Sequence, residues 1–357
     1  MQHTQVIYGV AGFDLAYSQD KLTFQFFDQH DKQLCDLQRI TLSTKLRFNP
    51  NLADVGATRK TQILEKPYTF AYDKLAESNG KPFLGINLFQ EKVVRSRIAA
   101  GLFEACNAAN ISVDEIHWYF RTGVPVEYKM FKDQIIGFLR ETITTKQYNS
   151  DSVTRHKFVN VSCDEQPKFA AQSLFYETNS AGLAYKEYVN GNMTVCAVDC
   201  GSQVCNFTKF GTPGLQIKKR SSAKVGTWSL IGEHIRPLLC MEEAIDFADD
   251  YDVIRALRDR KIGNTPISDK TIAKLRKQVF GNNFPLVLEG IEKIVPDVRL
   301  LDMFLLYGGS SYDYIDHFKQ HYVESDVVVM IADNPVHATA DGMAMAAMHH
   351  YRKEHKQ

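Results

Sequence analysis

The stretch Met-Thr-Val-Cys-Ala-Val-Asp-Cys-Gly-Ser-Gln-Val-Cys-Asn-Phe, residues 193 to 207, decides the fold that this sequence predicts. Its apolar run from Val195 to Val198 is typical of a short strand buried on both faces. An acid, Asp199, and a glycine, Gly201, follow at the strand tip, and an extended, alternating pattern resumes at Val204. The stretch therefore predicts a β-hairpin with a glycine-containing turn.

A turn of this kind has a possible chemical use. Its backbone N–H groups can bind a phosphate while the carboxylate of Asp199 reaches a hydrated metal ion. The alternative is an ordinary buried strand followed by a turn, because Asp-x-Gly is common turn chemistry.

Length and composition restrict the class of protein. A chain of 357 residues exceeds one ordinary core, so two domains or lobes are expected. Apolar residues make up 44% and charged residues 24%, which is typical of a soluble globular protein. Basic and acidic side chains number 42 each, so no net positive field favours direct nucleic-acid binding, and any DNA contact is expected to be local or through an adaptor. No apolar run approaches the roughly 20 residues of a membrane span, and no signal peptide is seen, so we expect a cytoplasmic protein.

The cysteines fit the same compartment, since their number is odd and no CxxC motif occurs. Three of them, Cys196, Cys200 and Cys205, are close in sequence, which raises the alternative of a metal site. Cys196, however, falls inside the apolar strand, where a small apolar residue is expected. No second group of ligands has zinc spacing.

The N-terminal segment repeats the design of the central hairpin. An apolar strand begins at Val6, a turn from Gly12 to Lys21 contains Asp14, and alternating residues from Leu22 to Phe26 predict the return strand. Asp14 and Asp199 are 185 residues apart (199 − 14). The repeat predicts two similar lobes that each offer a hairpin to a shared cleft, and the alternative is two unrelated hairpins.

Between and after the hairpins, periodicity predicts further elements. We expect a helix over 90–109, a strand over 116–120, a loop over 122–125, a helix over 128–141 and a strand over 158–161. A helix then follows Asp164, Glu165 and Gln166 and continues towards Ala184; its N-terminus favours acidic side chains, so these residues serve either a ligand or simple capping. Helices are also predicted from Val225, over 261–277 with a boundary at Pro266, and over 338–348. A strand over 304–307 runs into Gly308-Gly309 at a helix start, where a planar ligand or phosphate could approach the backbone.

Four features follow one another along the chain: the hairpin with Asp14, the helix after Asp164 to Gln166, the hairpin with Asp199 and Gly201, and the strand that runs into Gly308-Gly309. Their order resembles the actin, sugar-kinase and heat-shock ATPase fold, and within it the ParM/StbA family of bacterial plasmid-segregation actins. The resemblance covers nearly the whole chain. It implies an α/β, actin-like fold of two ribonuclease-H-like lobes with a nucleotide cleft between them. Residues 1–163 would form lobe I, with a C-terminal helix over 335–357 packing back on it, and residues 164–334 would form lobe II.

The resemblance also implies a site, whose residues are carried over position by position. The first phosphate loop would contain Asp14, Ala16, Tyr17, Ser18 and Lys21. The second would contain Gly201, Ser202, Gln203 and Asn206, with Gly226 and Ser229 on the ribose and phosphate side and Gly308, Gly309 and Ser310 at the adenosine. Asp14 and Asp199 would hold hydrated Mg²⁺. One of Asp164, Glu165 and Gln166 would orient the attacking water, with Asp199 also in the catalytic group, and the choice among the three stays open.

Three departures from the family pattern bear on activity. Ala16 replaces the glycine after the first aspartate, which restricts the backbone and adds a methyl group near the phosphate. Ser202, Gln203 and Val204 replace a second glycine and threonines. Asn206 replaces a second aspartate and removes a charge. Nucleotide binding survives such changes more easily than fast hydrolysis.

The expected function is a filament that assembles with bound ATP or GTP and Mg²⁺, hydrolyses the nucleotide at a rate that the departures could make slow, and segregates plasmid DNA. Its partners would be further copies of itself and a DNA-binding adaptor on a plasmid centromere-like site, with no direct nucleic-acid or membrane contact. One alternative is a metabolite kinase of the same fold, which would need a carboxylate base and a closed substrate pocket; no clear sugar-kinase motif is present. Another is a non-hydrolysing scaffold, which Ala16 and Asn206 favour.

Overall fold

The computed structural model describes residues 6–16, 19–44, 46–48, 60–63, 68–72, 85–147, 152–179, 182–186, 192–211, 216–246, 248 and 250–355. Tyr17 and Ser18 of the predicted first phosphate loop lie outside these residues. Within the described ranges, no helix is long and apolar enough to cross a membrane.

The strands, in chain order, are β1 Ile7–Asp14, β2 Gln19–Asp28, β3 Gln38–Ser43, β4 Arg47–Phe48, β5 Lys60–Ile63, β6 Tyr68–Ala71, β7 Glu115–Val124, β8 Ile143–Gln147, β9 Val153–Glu165, β10 Tyr176–Asn179, β11 Gly182–Tyr185, β12 Thr194–Cys200, β13 Cys205–Gly211, β14 Gln216–Ala223, β15 Lys261–Ile262, β16 Thr265–Pro266, β17 Met303–Tyr307 and β18 Val328–Ile331.

The α-helices are α1 Glu91–Ala108, α2 Lys132–Phe138, α3 Gln166–Phe175, α4 Thr227–Leu230, α5 Arg236–Glu242, α6 Asp250–Asp259, α7 Asp269–Glu292, α8 Ser311–His321 and α9 Ala338–His355. Short 3₁₀ turns cover Gly85–Phe89, Val126–Phe131 and Val298–Leu300, and a π-helical turn, Ile231–Ile235, joins α4 to α5.

The chain divides into two compact units. Unit 1 consists of residues 1–187 and 337–357, and unit 2 of residues 188–336. The sequence placed the boundary after residue 163, whereas the contacts group α3 with unit 1. The reason is close packing between α3 and α9: a Cβ atom on Gly342 would lie 1.8 Å from the Phe169 carbonyl oxygen.

The main sheet of unit 1 has the strand order β3-β2-β1-β7-β9-β8-β5-β6-β4. One face is covered by α1, whose apolar residues join a core that contains Phe13, Phe24 and Trp118. On another part of the sheet, α9 packs against β1 so closely that a Cβ atom on Gly12 would lie 2.2 Å from the Ala340 carbonyl oxygen. Glycine at this position therefore fixes the distance between helix and sheet.

The main sheet of unit 2 has the order β14-β13-β12-β17-β18. Its core includes Val198, Phe207 and Phe304 from the strands and Phe280 and Tyr314 from the helices. These side chains are at most 1% exposed, as expected for the apolar runs that the sequence shows.

The same arrangement of five strands occurs in both units. In unit 1 the order β3-β2-β1-β7-β9 begins with antiparallel pairs and continues with parallel pairs. In unit 2 the order β14-β13-β12-β17-β18 does the same. The predicted α/β class with two similar lobes is thus confirmed, and the two Asp-containing hairpins are equivalent elements rather than unrelated ones.

Several predicted elements differ in extent from the observed ones. The predicted loop over 122–125 is wrong for 122–124, because β7 continues to Val124 and pairs with β1 on one side and β9 on the other. The helix predicted towards Ala184 ends at Phe175, because β10 and β11 form a hairpin in which the Tyr176 and Tyr185 rings stack at 4.6 Å. The helix predicted over 261–277, with a boundary at Pro266, is wrong before that boundary, where β15 and β16 pair; beyond it, α7 begins at Asp269.

Candidate functional site

In unit 1, several predicted site residues lie at the turn end of the β1–β2 hairpin. Asp14 and Lys21 are direct cross-strand partners, and Lys21 Nζ lies 3.3 Å from Asp14 Oδ2. Gln166, the first residue of α3, donates from Nε2 to Asp14 Oδ1 at 2.8 Å and to the Leu15 carbonyl oxygen at 3.1 Å. The chain therefore brings together residues that are 152 positions apart around one carboxylate.

Asp164, another of the three candidates for orienting water, has a different environment. Its carboxylate binds Lys132 Nζ and Lys168 Nζ, each at 2.6 Å, and accepts the backbone N–H of Glu165 at 2.9 Å. Burial raises the pKa of Asp164, but the hydrogen bonds from both lysines outweigh burial, so its pKa lies below the ordinary value. Asp164 is thus an ion-paired residue at the strand-to-helix junction, and Gln166 is the member of the three that contacts Asp14.

In unit 2, the β12–β13 hairpin places Asp199 directly opposite Asn206. Asn206 Nδ2 donates to Asp199 Oδ2 at 3.4 Å, so the amide partners the carboxylate across the hairpin. The turn between the strands is tight at Gly201, where a Cβ atom would lie 2.8 Å from the Val204 carbonyl oxygen. Glycine is therefore required by the turn itself.

The cysteines of this hairpin are packed as apolar residues. Cys196, Cys200 and Cys205 are fully buried free thiols in the core of unit 2. Burial raises the pKa of the Cys196 thiol to about 12, and it also raises the pKa of Cys200 well above its ordinary value. A thiolate is the form that binds metal, so the protonated thiols of Cys196 and Cys200 are poor ligands. Over the part of the chain that the structure describes, no group of three or more His, Cys, Asp or Glu side chains could hold a metal ion.

Residues at the start of α4 pack directly on the second turn. A Cβ atom on Gly226 would lie 2.5 Å from backbone atoms of Ser202 and Gln203. Ser229 Oγ donates to the Gln203 carbonyl oxygen at 2.9 Å and to the Gly226 carbonyl oxygen at 2.8 Å. The predicted residues Ser202, Gln203, Gly226 and Ser229 therefore form one continuous structure.

The Gly-Gly motif after β17 contacts the same hairpin. Gly308 has a φ of +90°, and a Cβ atom there would lie 2.6 Å from the Cys200 carbonyl oxygen and 2.8 Å from Asp199 Oδ1. The backbone N–H of Ser310 donates to the Cys200 carbonyl oxygen at 2.9 Å. At Gly309, by contrast, a Cβ atom would meet no atom within 4 Å. Close contacts within unit 2 therefore explain why position 308 is a glycine, whereas open space lies beside Gly309.

Comparison with solved structures identifies similar proteins along almost the whole chain. The actin-like protein Alp7A is 14% identical, with 98% of this chain and 97% of that chain covered and a TM-score of 0.69. Bacillus thuringiensis ParM with ATP is 12% identical, with 96% and 98% covered and a TM-score of 0.65. The Alp12 filament structure is 12% identical, with 97% and 99% covered and a TM-score of 0.59. The chain has an actin-like fold.

The resemblance to the ParM-like actins is confirmed at the level of the fold by these similarities. No family model matches the sequence, and no curated protein matches it. At 12 to 14% identity, the likeness that these comparisons show is that of the fold.

Sequence reasoning missed some residues that adjoin the predicted actin-like site. Thr227 Oγ1 forms a short hydrogen bond with Ser310 Oγ, which links the start of α4 to the Gly-Gly motif. In unit 1, Arg97 and Asp20 form an ion pair beside the first turn, and each side chain is 1% exposed. The only sequence signal for that pair is a charged residue on the apolar face of a predicted helix, between Val94 and Ile98.

Proposed function

We propose that this actin-like protein binds ATP with Mg²⁺ and assembles into nucleotide-dependent filaments. One observation carries the proposal: the two units share the same order of five strands, and in each unit an aspartate lies at the tip of a strand next to a hairpin turn. This aspartate is Asp14 in unit 1 and Asp199 in unit 2. The description of Bacillus thuringiensis ParM with ATP and that of the Alp12 filament support the nucleotide and the assembly, respectively.

The residues fit a hydrated magnesium ion and phosphates. Asp14 and Asp199 supply carboxylate oxygens, which are the preferred ligands of this ion or of its waters. Mg²⁺ would neutralise phosphate charge when bound. Lys21, already 3.3 Å from Asp14, provides a cation near the first turn, and the backbone of Gly201 to Gln203 provides N–H groups at the second. The open space beside Gly309 would admit the adenosine.

For hydrolysis we propose Gln166 as the residue that orients the attacking water. Its Nε2 group is held by Asp14 Oδ1 and the Leu15 carbonyl oxygen, so the position of the side chain is fixed. The same amide carries an acceptor oxygen, which a water needs in order to be oriented. Asp164 is less suited, because two lysines already occupy its carboxylate. Asn206, which partners Asp199 without adding charge, favours slow hydrolysis.

The biological role that follows is segregation of plasmid DNA in the cytoplasm through a DNA-binding adaptor. The neutral overall charge, with 42 basic and 42 acidic residues, supports recognition of DNA by a partner rather than by the filament itself. Sedimentation with ATP and with GTP measures which nucleotide the protein prefers.

Sedimentation and electron microscopy with and without nucleotide and Mg²⁺ test the proposal. We expect filaments that pellet with ATP and Mg²⁺, and much less pelleting without them; the same series with GTP determines the preference. Equal pelleting in all conditions, together with no nucleotide binding by calorimetry, would contradict the proposal.

The variant Asp199→Ala tests the site itself. Loss of one positioned charged group costs on the order of 100-fold in rate, so phosphate release should fall by about that factor while the fold is kept. The matched control is Asp297→Ala, which removes a unit 2 aspartate whose partner is Arg299. Filaments that form with ATP in the wild type while no phosphate is released would favour the non-hydrolysing scaffold instead.

A further inference from the structure

A buried ion pair lies behind the first turn. Arg97, from α1, and Asp20, at the start of β2, are each 1% exposed, and they are joined by two hydrogen bonds. We propose that Arg97, together with Asp20, is a positioning residue that holds the backbone of Ala16, two residues after Asp14, for nucleotide binding. This inference rests on the proposed function, and it assigns a role to a residue that does not itself belong to the turn.

The geometry ties both backbone groups of Ala16 to the pair. Arg97 Nη2 donates to the Ala16 carbonyl oxygen at 2.5 Å, and the Ala16 N–H donates to Asp20 Oδ1 at 3.3 Å. Arg97 Nε donates to Asp20 Oδ2 at 2.7 Å, so the planar guanidinium is oriented by the carboxylate. Ala16 is two residues after Asp14, and its backbone N–H and carbonyl groups are therefore both held by the pair, one member of which lies on α1.

The energetics favour a positioning role over simple stabilisation. Burial raises the pKa of Asp20, and the adjacent Arg97 only partly opposes that effect. A buried pair is expensive to desolvate and often contributes little net stability compared with apolar residues of the same volume. What such a pair does supply is a defined geometry, and a binding site needs its contact groups held in place before the ligand arrives.

Arg95 provides a matched control on the same helix. It is fully buried, two residues before Arg97, and its guanidinium donates to the carbonyl oxygens of Phe138 at 2.6 Å and Thr142 at 3.0 Å. Those carbonyls belong to the last residue of α2 and to the segment between α2 and β8, and not to the turn. Loss of Arg95 therefore removes a buried charge from α1 without removing a contact to Ala16.

The experiment compares Arg97→Lys and Arg97→Gln with Arg95→Lys and Arg95→Gln. Hydrogen exchange of residues 14–20 in nucleotide-free protein, ATP affinity by calorimetry and urea unfolding are measured for each variant. For Arg97→Gln we expect faster exchange at Ala16 and about tenfold weaker ATP binding, the effect of one or two lost hydrogen bonds. Lysine keeps the positive charge but lacks the planar guanidinium that donates several hydrogen bonds at once. The ATP affinity of Arg97→Lys should therefore lie between those of Arg97→Gln and the wild type. The Arg95 variants should lose comparable stability and keep ATP affinity within about twofold.

Each other outcome overturns the inference. Unchanged exchange at Ala16 in the Arg97 variants would show that the pair does not hold the turn. Faster exchange with unchanged ATP affinity would show that the held conformation is not the one that binds nucleotide. Equal loss of affinity in the Arg95 and Arg97 variants would indicate general loosening of α1.

If the wild-type protein binds no nucleotide, the proposed function fails and the nucleotide role of Arg97 fails with it, while the exchange data still decide whether the pair holds the backbone at Ala16. Should Arg97→Gln not fold, Asp20→Asn gives the same comparison from the other side of the pair.

Discussion

At the scale of single residues, the two hairpins differ in how their aspartates are partnered. In unit 1, Asp14 faces a cation, Lys21, across the strands, whereas in unit 2, Asp199 faces a neutral amide, Asn206. The pair in unit 1 was not predicted, because the predicted turn from Gly12 to Lys21 contained both residues, whereas β1 extends to Asp14 and β2 begins at Gln19. The contact between Gln166 and Asp14 could not be anticipated, because it depends on how α3 follows β9 in space.

The Asn206 amide leads to a prediction about Asn206→Asp. The change places two carboxylates directly opposite each other, and like charges at such a position destabilise the hairpin by roughly 0.2–1 kcal/mol in the absence of metal. With Mg²⁺ the added charge should organise metal and water, so single-turnover phosphate release should increase and filaments should be shorter-lived.

Urea unfolding with and without Mg²⁺, measured beside phosphate release and ATP affinity, checks this expectation. Asn206→Ala is the control, since it removes the amide without adding charge. Slower release together with weaker ATP binding in Asn206→Asp would mean that the water is already organised by the segment around Gln166, and that Asn206 is adapted to this site.

A second prediction concerns the two neighbouring glycines of unit 2. Gly309→Ala should leave stability unchanged, because its Cβ would meet no atom within 4 Å. If the adenosine lies against this backbone, ATP affinity should nevertheless fall by about tenfold or more, since a methyl group would occupy the space of the ligand. Gly308→Ala should instead unfold at lower temperature, because φ there is +90° and the Cys200 carbonyl oxygen is 2.6 Å from the added atom. Thermal unfolding and calorimetry separate the two effects, and unchanged ATP affinity in Gly309→Ala would remove this glycine from the site.

At the scale of elements, the sequence predicted the structure best where one pattern acted alone. The helix predicted over 90–109 is observed as Glu91–Ala108, and both Asp-containing hairpins are observed, because regular apolar spacing determined them. Errors arose where local chemistry and tertiary pairing disagree. Thr-Gly-Val-Pro at 122–125 has the composition of a turn, but β7 is paired with β1 up to Gly123 and with β9 up to Val124. No local signal reports that two neighbouring strands will extend so far.

The contact between α3 and α9 could not be predicted either, because no local sequence signal reports which helices will pack together. This contact leads to a third prediction. Gly342→Ala would place a Cβ atom 1.8 Å from the Phe169 carbonyl oxygen, so the helices must separate. Overpacking of this kind typically costs 1–3 kcal/mol, and we expect about that loss of stability in urea unfolding. Gly137→Ala, in α2, is the control: nothing lies within 4 Å of its Cβ, and alanine favours a helix, so stability should be kept or slightly increased. Equal effects of the two substitutions would contradict close packing at Gly342.

At the scale of the whole molecule, the repeated five-strand order explains why a sequence only 12 to 14% identical to the compared actin-like proteins keeps their fold. Each unit needs apolar strands, glycines at close contacts and a hairpin turn, and many sequences satisfy these demands. The residues around the proposed site are less predictable, since Lys132, Arg97 and Thr227 lie on elements whose positions are set by packing. The resemblance located the turns, and the geometry identified the side chains that hold them.

The two units also differ in how the chain builds them, which leads to the last prediction. Unit 2 is one continuous segment with its own core, including Val198, Phe304 and Tyr314. Residues 188–336 expressed alone should therefore unfold cooperatively in urea. Unit 1 is completed by a distant segment, because Met348 and Tyr351 of α9 cover Val10, Phe27 and Tyr119.

Residues 1–187 expressed alone would expose that apolar surface, and we expect them to aggregate or to unfold without a cooperative transition. Joining residues 337–357 through a flexible linker to the front of residue 1 should restore folding, since α9 would again reach β1 and α3. A linked segment carrying Tyr351→Ala and Met348→Ala is the control, and it should restore folding less well because each truncation of a buried side chain costs about 2–5 kcal/mol. Circular dichroism and urea unfolding of the three proteins test the idea. Cooperative unfolding of residues 1–187 alone, at the same midpoint as the linked form, would show that α9 is not required by the fold of unit 1.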